Sequence, residues 1–306
     1  MDLRESSIGF YRVWLCAIGA QEGLLIDLAD IARTPAALAR RHGLDEAMTQ
    51  RWCRAANGVG ILGHSGASYW LRREHRRTLG TPKDADYLGH HFEYVTAKSL
   101  RFGALPSLLR GKAERLDLAE VYALATSWDH LAFFERVLPR EPEARRLLSR
   151  GCDVLDLGAG LGAWTREARQ RFPRSRFTMA EVKPARGQIS LDEIRDGAFD
   201  LVFLGEVLGA SGDPTVPLTT ARRALRPGAT MHALEGLAPS RSKVPRGWGE
   251  RLVLAMDFDF ALDGSRFLTR DEADAALRAS GLVGRRIRDV GGSLYHLRAH
   301  RPKRSA

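Results

Sequence analysis

A chain of 306 residues with 44% apolar and 27% charged side chains is long enough for two domains and has the composition of a folded globular protein, not a disordered one. No stretch of about 18 apolar residues occurs, which argues against a helical membrane span. Cys16, Cys53 and Cys152 are odd in number and lack a CxxC spacing, so neither a disulfide framework nor a zinc site is expected, and no bound metal.

The N-terminal stretch MDLRESSIGFYRVWLCAIGAQ lacks the basic start, unbroken apolar core and small-residue cleavage site of a secretory signal, so a cytoplasmic protein is expected. A formal net charge of +10 can attract nucleic acid or acidic ligands. The basic residues are spread along the chain, apart from the short run at 301–304, and solvated Arg-rich helix faces are the simpler reading.

In chain order, residues 9–33 read as apolar helices. Thr34 then stands to cap a helix whose first residue is Pro35 and which Gly43 ends. Asp45 can cap the next helix, EAMTQRWCRAANGVG. Two short helices around a tight turn, followed by ILGHSGASYWL as strand, Ser-Gly turn and strand, spell a winged helix. Residues 84–150 show three- and four-residue apolar spacing, the mark of helices, with Pro139 and Pro142 introducing the last of them. After Gly151, strand-like and helical segments alternate to the end, which predicts a parallel α/β sheet. The expected division is 1–95, 96–150 as a helical linker lining a substrate pocket, and 151–306.

The informative stretch is CDVLDLGAGLGAWTREARQRFP. A buried strand carries Asp156, then opens onto Gly158, Ala159, Gly160 and Gly162, and an amphipathic helix follows. Glycines let the backbone turn sharply and approach a ligand where a Cβ would clash. A helix start offers free N–H groups to an anionic acceptor. An acidic residue two positions before the first glycine disfavours a pyrophosphate and suits the ammonium and sulfonium side of S-adenosylmethionine (SAM). RFTMAEVKP reads as a second strand ending in Glu181 and Val182, where a carboxylate can take both ribose hydroxyls. GAFDLVFLGEVLG is a further strand bearing Gly205 and Glu206 at its end. TTARRALRPGATMHALEG reads as a helix, a Pro-Gly turn and another strand. A plain Rossmann-like fold with an incidental glycine turn is the competing reading.

These residues resemble the class I SAM-dependent methyltransferases: VLDLGAGLG is similar to their first motif and ALRPGATMHALE to their fifth-strand segment. The stretch from Ala17 to Leu62 is similar to the dimerisation domain of the plant- and antibiotic-type O-methyltransferases. MDFDFALDGSRFLTRDEADAALRASGL looks like their late substrate-lining helix, loop and capped helix. The resemblance implies a Rossmann-like α/β catalytic domain behind an N-terminal all-α winged-helix dimerisation domain, with SAM as cofactor and S-adenosylhomocysteine as product. It further implies a homodimer, each protomer helping to close its partner's pocket, and O-methylation of a small secondary metabolite or modified peptide.

Two departures stand out. The family places a His-Asp pair after the strand equivalent to LVFLGEV, the histidine removing a phenolic proton, and here Gly209 and Ala210 hold those positions. The interval from Glu181 to Gly209 is also short, so KPARGQISLDEIRDG replaces the elements that frame adenine, with Leu191 and Asp192 as its neighbours.

The resemblance places the helix of His130 beside cofactor and substrate, and His91 and His90 lie on the preceding helical segment. Each reads more readily as a packed or surface residue than as a base. Trp128, Phe133, Phe134, Trp248, Phe258 and Phe260 either line an aromatic pocket or pack the core. Glu206 is readable as a ligand contact or a loop carboxylate, and Glu235 as a hydrogen-bonding group near the active site or, somewhat more readily, a loop cap. Two rival functions follow from these departures and from the charge. One is a family member that uses SAM without methyl transfer, as a cyclase or decarboxylase, or has no catalysis. The other is a DNA-binding regulator reading through the winged helix.

Overall fold

A computed structural model describes residues 3–111, 130–240, 248–260, 264–291 and 293–303. The chain divides into two compact units, one of residues 1–102 and 119–128, the other of residues 103–118 and 129–306.

In the first unit, α1 (Leu3–Gln21) and α2 (Leu24–Asp30) precede α3 (Pro35–His42) and α4 (Glu46–Gly58). The caps fall where the sequence puts them. Thr34 accepts the Ala37 N–H with Pro35 in the first turn, Gly43 ends α3 at φ +68°, and Asp45 accepts the Met48 N–H. Strands β1 (Leu62–Ser65) and β2 (Ser68–Leu71) form an antiparallel hairpin turned by Gly66, so this unit is not all-α. Leu25, Leu28, Leu38, Cys53, Leu62 and Leu71 are fully sealed in its core. Helices α5 (Arg76–Leu79) and α6 (Gly89–Ser99) follow.

The second unit begins with α7 (Leu105–Leu109), and after a π-helical turn over Phe133–Val137 comes α8 (Pro142–Arg150). Its sheet is built from β3 (Asp153–Leu157), β4 (Arg176–Glu181), β5 (Ile189–Ser190), β6 (Phe199–Gly205), β7 (Leu225–Ala238), β9 (Val283–Gly291) and β10 (Leu294–His300). The order is β5-β4-β3-β6-β7-β10-β9, and the short β8 (Leu268–Thr269) adds to β7. The first five of that order run parallel, and β10 pairs antiparallel with both β7 and β9. Helices α9 (Ala163–Arg171), α10 (Thr215–Ala224), α11 (Trp248–Phe260) and α12 (Arg270–Ala279) complete the unit.

The parallel strands are apolar runs because both faces are covered. Leu155, Leu204 and Ala233 pack on one face, and Val154, Leu201 and Leu234 on the other, all fully buried. The expected Pro-Gly turn after α10 is instead a bulge within β7. Phe199 pairs with Leu225 but Leu201 with Thr230, and Gly228 at φ +81° absorbs the extra residues.

Candidate cofactor-binding and active site

The parallel strands deliver their carboxyl ends to one edge, where ligands of open α/β sheets bind. At the end of β3 the chain turns through three glycines with positive φ: Gly158 (76°), Gly160 (50°) and Gly162 (71°). Two of them are constrained by space as well. A Cβ on Gly158 would stand 2.5 Å from Val207 Cγ2, and one on Gly162 2.7 Å from Met179 Sδ. The Ala180 carbonyl, at the end of β4, accepts the N–H groups of Gly158 (2.9 Å) and Ala159 (3.3 Å), pinning the turn to its neighbour. Helix α9 starts behind the turn without any side-chain cap, which leaves N–H groups open to an anion.

Glu181 ends β4 opposite this turn. Its Oε2 accepts the Gly160 N–H at 3.0 Å and its Oε1 the Val182 N–H at 2.9 Å. Gln188 reaches across to donate to the Gly160 carbonyl at 2.7 Å. Because Glu181 pairs with Ser190, the short turn Leu191–Glu193 follows on the same edge, with Leu191 half-buried and Asp192 exposed.

Asp156 differs from the expectation that it faces a cationic ligand. Its carboxyl is sealed from solvent and accepts the Thr165 hydroxyl at 2.6 Å. Burial, opposed by that hydrogen bond, pushes its pKa up to about 7. Asp156 therefore ties the turn to the first helical residues of α9. The sequence reading missed Thr165, although its place three residues after the last glycine was a legible signal.

At the end of β6, Gly205 is followed by Glu206 at φ +57°. Glu206 Oε1 accepts the Gly236 N–H at 2.7 Å, while Glu235 Oε1 accepts the N–H groups of Val207 (2.9 Å) and Leu208 (3.0 Å). Each carboxyl braces the backbone beside the other. Burial lifts Glu206 to about 7, and burial together with the neighbouring Glu206 charge raises Glu235 well above the usual carboxylate range.

Against known proteins, no model of a protein family matches the chain. The malonyl-[acyl-carrier protein] O-methyltransferase of Hahella chejuensis is 26% identical, over 62% of this chain and 72% of that protein. Among solved structures, human N-acetylserotonin methyltransferase in complex with SAM superposes with a TM-score of 0.69 at 16% identity, covering 98% of this chain and 97% of its own. The pyocyanin biosynthetic protein PhzM gives 0.66 at 19% identity, covering 98% of each. The mitomycin 7-O-methyltransferase MmcR gives 0.65 at 18%, covering 98% and 96%. The chain has the class I methyltransferase fold.

Within this methyltransferase fold, Gly209 has no room for a side chain. A Cβ there would collide with the Arg266 carbonyl oxygen, and Arg266 N–H in turn donates to the Gly209 carbonyl at 3.3 Å. Sequence reasoning saw the missing histidine but not this plug, which comes from a loop 57 residues away.

Of the histidines, His91 belongs to the first unit and is buried, which lowers its pKa to about 4 and makes it a weak proton acceptor. His130, in the second unit, leads into the buried run Leu131–Phe134. Phe133 and Phe134 are core residues. They pack with Trp164, which itself stacks on Phe203 at 4.2 Å between ring centres. Phe258 is half exposed on α11, and Phe260 stacks on Phe267 at 4.6 Å. Trp128 lies outside the described residues, and so does the side chain of Trp248. A cleft of 180 Å³ lies beside α11, lined by Leu254, Asp257, Arg266, Phe267 and Pro239.

Proposed function

We propose that the chain is a SAM-dependent methyltransferase acting on a hydroxyl or carboxyl oxygen of a small molecule. The observation that carries this is Glu181 held across from the Gly160 N–H. It places a carboxylate and a glycine-rich turn face to face at the sheet edge, beside the start of α9, which has no side-chain cap at Gly162. That donor and acceptor set fits an adenosyl amino acid. Glu181 accepts the ribose hydroxyls, the α9 N–H groups take the amino-acid carboxylate, Gly158, Gly160 and Gly162 allow close approach, and Ala159 lies in the same turn against the ligand. Val182, Leu191 and Asp192 border the adenine, and Gly205 offers its carbonyl to the ammonium. When bound, SAM supplies an electrophilic methyl group on a sulfonium.

The chain's own work is then to align the acceptor and exclude water, since an in-line displacement depends mainly on positioning. Asp156 serves this indirectly by fixing α9 through Thr165. In this reading the first unit, with its hairpin, is the dimerisation domain of a homodimer. Residues 96–150 line the acceptor pocket, and residues 151–306 bind the cofactor. No helix among the described residues is long and apolar enough to cross a membrane. The helix that a DNA reader would present, α4, turns Trp52 and Cys53 into its own core, and the Trp52 indole donates to the Leu15 carbonyl at 3.1 Å.

The loss of any side chain at 209 favours one other reading, use of SAM without methyl transfer. Incubation with SAM and mixed small phenols and carboxylic acids separates the two. Methyl transfer predicts S-adenosylhomocysteine released in step with an acceptor heavier by one methyl. Cofactor consumption without methylated product would favour the rival.

A further inference from the structure

The loop after β6 has lost one proton acceptor and keeps another. At 209 the Arg266 carbonyl fills the space a base would need. Three residues earlier, Glu206 sits in the left-handed region, which a glutamate occupies only when its surroundings enforce it. The surroundings are explicit. Glu206 N–H donates to the Leu234 carbonyl at 2.8 Å, and Gly236 N–H donates to Glu206 Oε1 at 2.7 Å. The carboxyl is thereby fixed against β7 by one oxygen. The other, Oε2, accepts no hydrogen bond among the described residues, and Glu206 as a whole is half-buried.

The parallel register pairs Leu157 with Leu204, which sets Gly205 and Glu206 level with the first residues of the glycine turn. Val207, next in line, is the side chain that Gly158 packs against. A fixed carboxylate with one free oxygen thus stands at the same strand ends as the cofactor cradle.

We propose that Glu206 is the general base, its Oε2 accepting the proton of a phenol-class hydroxyl on the acceptor. This rests on the methyltransferase reading. The acceptor O–H bond breaks, with its proton going to Glu206. The oxygen's electron pair forms the new bond to the methyl carbon. The methyl–sulfur bond breaks, and its pair stays on sulfur as the neutral thioether of S-adenosylhomocysteine. Water takes the proton from Glu206 afterwards.

Burial holds this carboxyl up at about 7, near the working pH where a base is most effective. Glu235 of β7 is the charged group that couples to it, and Arg266 on the neighbouring loop is drawn to Glu272 at 2.9 Å. Glu235 itself is a positioning residue, occupied by the Val207 and Leu208 N–H groups.

Glu206→Gln tests the proposal because the amide oxygen still accepts the Gly236 N–H, and an unchanged thermal unfolding midpoint verifies folding. In protein labelled with carboxyl-¹³C glutamate and saturated with S-adenosylhomocysteine, NMR should show a glutamate titrating near neutrality that the variant lacks. In methyl transfer to para-substituted phenols of graded acidity, the variant should lose roughly 10²–10⁴-fold in kcat on weakly acidic phenols. It should approach wild type on 4-nitrophenol, which ionises unaided, with KM for SAM unchanged. The proposal is overturned if no glutamate titrates near neutrality, or if the variant matches wild type on weakly acidic phenols. A wild type that binds S-adenosylhomocysteine but methylates no phenol overturns it too. A protein that does not bind S-adenosylhomocysteine fails the cofactor reading first, and calorimetry distinguishes that case.

Discussion

Gly209 is pressed against the carbonyl oxygen of Arg266, and the two residues also share a hydrogen bond from the Arg266 N–H to the Gly209 carbonyl. The position where the family resemblance leads one to expect a histidine is filled by backbone, which cannot move aside as a flexible side chain can. Gly209→His is therefore expected to destabilise the protein by roughly 2–3 kcal/mol, the scale of overpacking in a closed site. It should not raise methyl transfer. Chemical denaturation and a rate measurement on the same preparation check both halves.

Gly158→Ala combines a left-handed φ with a collision against Val207. Such a substitution should cost roughly 1–3 kcal/mol. Because the turn must shift to relieve it, S-adenosylhomocysteine binding should weaken more than it does in Gly187→Ala. Gly187 also has positive φ but open space around it, so it serves as the control.

The caps and the glycine turn were legible because their causes are local. Thr34, Asp45 and the Thr269–Glu272 capping box each bind an N–H three residues on. The strands β3, β4 and β6 announced themselves as apolar runs. What was not legible depends on distant chain. Asp156 looked like a ligand group, and only the approach of Thr165 beneath the turn shows it committed to the protein. The Pro227–Gly228 pair looked like a turn, and only strand pairing on both sides makes it a bulge. The plug at Gly209 and the crossed bracing of Glu206 and Glu235 join segments about thirty or more residues apart, which no local pattern encodes.

Thr165→Val removes the hydroxyl that donates to the buried Asp156 carboxyl while keeping the shape of the side chain. The backbone N–H of residue 165 still bonds the carboxyl, so losing the hydroxyl should cost about 1 kcal/mol. The loss should be largest at neutral pH and should shrink in acid, where Asp156 is protonated. Urea midpoints for wild type and variant at two pH values measure it.

A second pH effect lies in the histidines of the sheet. His232 Nδ1 and His296 Nε2 are 2.9 Å apart, both rings buried and stacked. Burial first, then His296, Arg298 and His300, lower His232 well below its usual value. Burial, then Arg288 and Arg298, lower His296 to about 3. The folded-state pKa lies below the unfolded one of about 6.5, so the unfolded chain takes up protons first. The histidine contribution is complete above about 6.5 and is lost as pH falls from there toward 3. Asp156 and Glu206 act oppositely, because their raised values favour the fold below about 4 and lose that advantage as pH rises toward 7. His296→Gln should therefore flatten the drop in unfolding temperature between neutral and mildly acid solution, and an unchanged drop would assign it elsewhere.

The most direct test is calorimetric titration of S-adenosylhomocysteine into wild type and Glu181→Ala. Saturable binding in the micromolar range is predicted for wild type, roughly −7 to −8 kcal/mol. The variant should be weaker by about 1.5–3 kcal/mol, the worth of hydrogen bonds to a charged group. Absence of saturable binding to wild type, or equal affinity in the variant, would contradict the account.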